Sequence, residues 1–245
     1  MPRLIEMMKR REEEILNVMK HLSEKTDGFT NPKLILIGGY ALRTFVPFSR
    51  FTRDCDFILR KKDGWDLETL KAVMVRGYDV EKEERHENYG FMKWTKFIPY
   101  NKIRVKVSLD FMEGEIRGRQ AEEVIIIDEN MIENSRFVSI SIADESVSIA
   151  VPSYLDYFIM KVVSSRASDI RDIASLVHEN GIPSGLKERT RKILPYPGVL
   201  MSKLEHRIIP ELEKPTFLDS WKGIFAATMY TENEKQKVIE LLRRI

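Results

Sequence analysis

Residues 34–59 read LILIGGYALRTFVPFSRFTRDCDFIL, and the order of apolar, glycine and acidic positions in this stretch decides the fold. The apolar run Leu34-Ile35-Leu36-Ile37 has the length of a buried strand and stops at Gly38-Gly39. A helix is expected beyond the glycines. Arg50-Phe51-Thr52-Arg53 then leads into Asp54-Cys55-Asp56 and the apolar Phe57-Ile58-Leu59. If this last segment is a strand, Asp54 and Asp56 share a face and Cys55 points to the apolar side. Two carboxylates about 7 Å apart along one sheet face repel each other unless a cation sits between them. Mg²⁺ is the natural candidate, because it takes carboxylate oxygens and keeps room for phosphate oxygens. The glycines fit the same picture. A Gly-Gly turn lets backbone approach a ligand, and the start of the helix beyond it offers free N–H groups to a phosphate. Asp-x-Asp alone is common; Gly-Gly, a helix and then Asp-x-Asp on a strand is far more specific.

The clearest alternation lies further along. In Ile103–Phe111, Ile103, Val105, Val107, Leu109 and Phe111 fall on one face and Arg104, Lys106, Ser108 and Asp110 on the other. Asp110 is therefore a carboxylate on the polar face of a long strand. By itself it reads equally well as an exposed acid; beside Asp54 and Asp56 the functional reading prevails.

Elsewhere the pattern predicts an amphipathic helix over residues 3–25, with Leu4, Met8, Ile15, Met19 and Leu22 inward. Arg10, Arg11, Glu12, Glu13 and Glu14 make its solvated face. Lys61–Gly64 reads as a turn, and Asp66 as the cap of a helix that ends near Gly77. Strands are expected at Tyr78–Glu81 and Phe91–Ile98, with a charged loop at Glu83–Asn88 between them. Further β-like runs are Val124–Ile127, Phe137–Ile140 and Val147–Val151. At Pro152 the spacing turns helical. A helix over Leu155–Val163 and another over Asp169–Glu179 are followed by helices near 184–194, 200–213, 216–229 and 231–245. The fold class is thus α+β, with a sheet-containing domain over residues 1–151 and a helical domain over 152–245.

Composition narrows the function. The chain has 245 residues, 43% hydrophobic and 32% charged, so it is globular rather than disordered. A net charge of +2 predicts no strong general attraction to nucleic acid. Cys55 is the single cysteine, which excludes an internal disulfide and fits a reducing cytoplasm. No apolar run reaches membrane-spanning length, and the charged start PRLIEMMKRREEE is unlike a signal peptide. Abundant Lys, Arg, Glu and Ile with only Gln120 and Gln236 as glutamines leans toward a thermophilic source. His21, His86, His178 and His206 are scattered, with no metal-ligand spacing. There is neither a Walker loop nor a serine nucleophile elbow. Lys187, Arg189, Arg191, Lys192 and Lys203 face one acid, Glu188, between positions 187 and 203. That segment reads as a solvated helix face before it reads as an RNA-facing patch, since Tyr196 is its only aromatic residue.

GGYALR and RFTRDCDF resemble the glycine turn and Asp-x-Asp strand of the DNA polymerase β-like nucleotidyltransferases, in particular the AbiEii-type toxin and minimal nucleotidyltransferase branch. The resemblance implies a mixed sheet flanked by helices, followed by a C-terminal helical bundle. It implies Asp54, Asp56 and Asp110 as catalytic, metal-binding carboxylates for two Mg²⁺ ions, with Mn²⁺ as a substitute. PSYLDYFIMKVVSSRASDIRDIASL resembles the family's helical Lys, Arg and Asp-x-x-Asp element, which carries over onto Lys161, Arg166, Asp169 and Asp172. These four, with Gly38, Gly39, Arg50, Thr52 and Arg53, are the implied nucleotide-binding residues. Many superfamily members have Gly-Ser where this chain has Gly38-Gly39, so backbone N–H groups must do the work of the missing hydroxyl. Each charged residue also has a structural reading. Asp169 and Asp172 stabilise a helix start, Asp172 latches to Arg166 or Arg171, and Arg50 and Arg53 hold the Asp54/Asp56 pair.

The activity implied is transfer of an NMP from an NTP to a hydroxyl of an RNA of tRNA type, a protein or a small molecule. An antitoxin partner and no membrane partner go with it. The rival expectation is a non-catalytic Mg·NTP-binding module acting as a sensor or interaction partner.

Overall fold

The computed structural model describes residues 2–47, 50–62 and 64–245, with side chains from residue 5 onward. The Leu4 side chain, and Asp63 in the expected Lys61–Gly64 turn, lie outside the described residues.

The chain opens with helix α1 (Pro2–Lys25), then strand β1 (Leu34–Ile37) and the short helix α2 (Gly38–Ala41), which tightens into a 3₁₀ turn at Leu42–Thr44. Strand β2 is Asp54–Leu59. Helix α3 (Leu67–Val73) starts where the Asp66 carboxylate accepts the Thr69 N–H at 2.8 Å, as the cap signal predicts. Strands β3 (Asp79–His86), β4 (Tyr89–Tyr100) and β5 (Ile103–Glu113) form a meander. A two-stranded ribbon, β6 (Glu115–Arg117) with β7 (Val124–Ile126), precedes helix α4 (Glu129–Glu133) and the hairpin β8 (Arg136–Ile142)–β9 (Glu145–Val151).

The seven-stranded sheet runs β3-β4-β5-β2-β1-β9-β8. Its β2/β5 and β1/β9 pairs are parallel and the rest antiparallel, so the sheet is mixed, as expected. Strand β1 is buried along its whole length, because it lies inside the sheet and offers neither face to water. The expected loop at Glu83–Asn88 is instead the far end of β3, which turns into β4 within two residues. β3 is an edge strand with both faces largely exposed, so it carries charges at six of its eight positions and shows no apolar alternation. Charged edges of this kind discourage unwanted strand pairing.

The acid- and arginine-rich face of α1 is not simply solvated. Arg11 Nε donates to the Lys106 carbonyl at 3.0 Å, Lys96 donates to Glu14 at 2.8 Å, and Arg43 pairs with Glu12. These acids answer cations from the sheet and its neighbouring turn, a pairing that helical periodicity cannot reveal.

By compactness the chain forms two units. One comprises Met1–Thr44, Phe51–Ile116 and Ile127–Pro152 and holds the seven-stranded sheet; the other comprises Phe45–Arg50, Arg117–Ile126 and Ser153–Ile245. Two segments that precede Pro152 therefore belong with the helices. These helices are α5 (Tyr154–Ser164), α6 (Ala167–Asn180), α7 (Leu186–Ile193), α8 (Gly198–Lys203), α9 (Ile209–Leu212), α10 (Phe217–Phe225) and α11 (Glu232–Arg243). Trp221 stacks on Tyr230 with ring centres 3.9 Å apart, and both rings donate hydrogen bonds to the Ser175 hydroxyl. Phe45 stacks on Tyr157 at 4.9 Å. Between α8 and α9 a π turn, Leu204–Ile208, replaces ordinary helix. Pro210 follows it and lacks the N–H that an α-helix would direct to the His206 carbonyl, which is reason enough for the widened turn. Among the described residues no helix is long and apolar enough to cross a membrane.

Candidate active site

In the sheet unit the candidate residues converge through strand register. Asp56 on β2 sits directly opposite Asp110 on β5 in a parallel pair, and Asp54 sits opposite Ser108. Directly opposed residues point to the same face and lie one strand spacing apart, about 4.8 Å between neighbouring strands. On the other flank, Ile37 at the end of β1 pairs with Asp56, and the chain turns immediately at Gly38. Gly38 has φ +70°, a left-handed conformation, and a Cβ there would run into Asp56 Oδ2. A Cβ on Gly39 would approach Thr52 Oγ1 to 2.6 Å. Glycine is thus required twice, once for backbone conformation and carboxylate space and once for close packing. Thr52 Oγ1 donates to the Asp54 carbonyl at 3.3 Å, and Arg53 is exposed.

A cation joins this row. Lys93 on β4 is directly opposite Asp110 on β5, and its Nζ lies 3.3 Å from Oδ1 and 3.4 Å from Oδ2. Burial pulls the Lys93 ammonium pKa down, but the charges of Asp110 and Asp54 more than offset it, and the value stands above that of an ordinary lysine. Lys93, Asp110, Asp56 and the Gly38 turn therefore follow one another across four adjacent strands, with Thr95, Ser108 and Asp54 forming the next row. Cys55 faces the buried side. Burial first, and then the Asp56 and Asp110 charges, push its thiol well above the usual range, so in the folded chain little of it is the nucleophilic thiolate.

Three carboxylates beside a glycine turn suit a hard divalent cation by donor chemistry and by register. Among the described residues no three His, Cys, Asp or Glu side chains already form a ligand cluster. The reason is visible in the row, where Asp56 lies against Gly38 and Asp110 turns to Lys93.

The sequence profile described as nucleotidyl transferase AbiEii toxin, type IV TA system, matches residues 22–238, a span that includes every one of these groups. The chain belongs to the AbiEii family. It is accordingly a nucleotidyltransferase. Two solved structures from Helicobacter pylori are similar to this chain. One is a protein provisionally classed as a nucleotidyltransferase, with 14% identity, 95% of this chain and 94% of that chain covered, and a TM-score of 0.46. The other is JHP933, with 15% identity, coverage of 95% and 91%, and the same TM-score. No curated protein matches the chain.

The remaining residues implied by the AbiEii resemblance lie in the helical unit and form a closed ionic cluster. Lys161 Nζ donates to Asp169 Oδ1 at 2.9 Å and to Asp172 Oδ2 at 2.8 Å. Arg50 grips Asp172 with two bonds, Nε to Oδ1 at 2.6 Å and a terminal nitrogen to Oδ2 at 2.7 Å. Asp169 also accepts the Ser164 hydroxyl at 2.8 Å and the Arg166 N–H at 3.1 Å, which caps α6. Asp172 is fully buried and Lys161 nearly so. Burial opposes charge on Lys161, Arg50 and Asp169, yet attraction to their partners wins. The Lys161 and Arg50 pKa values are raised and the Asp169 pKa is lowered. Asp172 therefore latches to Lys161 and Arg50 rather than to Arg166 or Arg171. Arg171 bonds Ser220 and the Ala167 carbonyl, and Arg166 is exposed.

In the basic run between positions 187 and 203, Lys187 and Arg191 are exposed and the other three are paired. Arg189 is buried against Asp156 at 2.6 Å, Lys192 bonds Glu188, and Lys203 bonds Glu123 and Gln120. The residue that sequence reasoning missed at the site is Lys93. Tyr100 and Ile103 flank the two-residue turn Asn101-Lys102. Stepping seven residues outward from that pair reaches Lys93 and Asp110, so the hairpin turn was the signal that could have found it.

Proposed function

We propose that this nucleotidyltransferase moves an NMP from an NTP onto a hydroxyl of an RNA of tRNA type, a protein or a small molecule, in a Mg²⁺-dependent reaction, and that it acts as a toxin restrained by an antitoxin partner in the cytoplasm. The observation that carries the metal and nucleotide reading is the direct opposition of Asp56 and Asp110 on neighbouring strands beside a glycine that tolerates no side chain. The toxin reading rests on the family.

Asp54, Asp56 and Asp110 would hold the divalent ions, which when bound supply positive charge for a displacement at the α-phosphorus. The chain's own groups do the rest. Gly38 and Gly39 bring backbone N–H groups to the phosphates, and Thr52 and Arg53 add a hydroxyl and a guanidinium. The acceptor hydroxyl oxygen bonds to the α-phosphorus as the bond to the bridging oxygen breaks, and pyrophosphate leaves with that electron pair. The Asp110 carboxylate takes the hydroxyl proton, directly or through water. Arg50, Arg166, Asp169 and Asp172 enter this reading as the frame of the helical unit. Lys161 belongs to the same frame, held by its two carboxylates.

The test is incubation of α-labelled NTPs with Mg²⁺ and, separately, total RNA, total protein and small-molecule fractions. Label retained by one fraction with the natural chain and lost with Asp56→Asn supports transfer and names the acceptor class. No label in any fraction with any of the NTPs overturns the proposal.

A further inference from the structure

The row across the sheet holds an ammonium among its acids, and its placement is not that of an ordinary surface pair. Lys93 is opposed to Asp110 by register, so the backbone delivers it there. Its Nζ is nearly equidistant from both carboxylate oxygens, centred on the group as a bound cation would be. Both partners are mostly shielded, with side chains 24% and 16% exposed, whereas both partners of the Lys192–Glu188 pair are well over half exposed. Asp54 also acts on Lys93 through its charge, and Glu81 adds to it from the edge strand. Arg11 also feels the Asp54 charge, while its bond goes to the Lys106 carbonyl.

We propose that Lys93 is a positioning residue that occupies the Asp110 seat as a built-in cation. The site then takes one divalent ion at its Asp54/Asp56 end, and takes a second at Asp110 only when the anionic triphosphate draws the ammonium away. This inference rests on the metal reading given under Proposed function. Charge counting supports it. The Lys93 ammonium already offsets carboxylate charge at the Asp110 seat, so an ion there gains little until phosphate charge arrives. Removing the ammonium removes a unit positive charge a few ångströms from the second seat. At a partly exposed site that is worth about tenfold in the affinity of a divalent ion. The ordering follows from the chain itself, because the Asp110 seat is the one that carries the ammonium.

The test counts Mn²⁺ bound to the full chain by electron paramagnetic resonance, first without nucleotide and then with a non-hydrolysable NTP analogue. The natural chain is expected to hold one ion tightly alone and two with the analogue. Lys93→Gln should hold a second ion without nucleotide, about tenfold more tightly than the natural chain does, and Lys93→Gln combined with Asp110→Asn should lose it again. Lys93→Arg keeps the charge and should behave as the natural chain, and thermal melts of each variant confirm folding. An unchanged or weakened second ion in folded Lys93→Gln overturns the inference while leaving the metal reading intact. Mn²⁺ binding that survives Asp56→Asn unaltered overturns the metal reading itself, and this inference with it.

Discussion

Two clusters of aspartate in this chain have opposite designs. In the helical unit Asp169 and Asp172 meet Lys161 and Arg50, so two negative charges face two positive ones, and the group is sealed from water. In the sheet unit Asp54, Asp56 and Asp110 share a sheet face on which Lys93 pairs with Asp110, and all four side chains remain partly exposed. Charge balance with burial describes a clamp. Gathered carboxylates with access to water are what the proposed divalent-ion site requires. Both clusters would look alike as carboxylates spaced along a helix or a strand, and only their partners separate them.

The contrast can be broken most sharply by exchanging one acid in each cluster. Asp56→Asn should reduce label transfer by at least about a thousandfold, comparable with loss of a key electrostatic group in other active sites, while urea unfolding shows stability unchanged or slightly increased because a repulsion has been relieved. A large loss of stability instead would mean that this cluster too is a clamp. Asp172→Ala should do the reverse in kind. It strands Lys161 and Arg50 without their shared carboxylate and should cost about 3–5 kcal/mol, read as a lowered denaturation midpoint. A variant as stable as the natural chain would remove the clamp from the account. Gly38→Ala comes next, at about 1–2 kcal/mol for the left-handed backbone alone, with transfer lost as well because the new methyl displaces the Asp56 carboxylate. Stable, active Gly38→Ala protein would show that the turn is not what seats Asp56.

The smallest effect is in pH. Asp169 has a folded pKa below its ordinary value, so its contribution is present above the unfolded pKa of about 3.9 and fades as pH falls through the folded one. Lys161 has a raised pKa, so its contribution is present below about 10.4 and fades only as pH rises through the higher folded value. The clamp should therefore leave stability flat across neutral pH, with an acid decline below about pH 4 that is blunted in Asp169→Asn. A stability change centred near pH 6 or 7 that disappears in this variant would contradict the pairing.

Much of the site was legible in the sequence wherever the needed fact was local. Alternation along a strand assigns Asp54, Asp56 and Asp110 to polar faces, and a glycine pair before an acid pair implies a tight turn. What alternation leaves open is which strands are neighbours. That β2 lies beside β5, with Asp56 level with Asp110, is decided by the whole sheet rather than by either segment. Lys93 escaped for a related reason, since its meaning comes from its position across a hairpin. The Glu83–Asn88 stretch was misread because an edge strand open on both faces has no apolar period to display. In the helical unit, helix positions followed from spacing, but the partners of Arg50, Arg189 and Lys203 come from distant segments, which charge content alone does not reveal. The π turn before Pro210 shows the same limit at smaller scale, because the proline announces a disturbance without saying which kind.

Cys55 gives the molecule an internal clock. Its sulfur is sealed beneath the same strand that carries Asp54 and Asp56, and that strand is held by a ladder on each side. A thiol reagent can reach it only when the middle of the sheet opens, and the chain has no second cysteine to confuse the signal. The rate of alkylation therefore times how often the acid-bearing strand comes loose, and ions that gather its carboxylates should slow that clock.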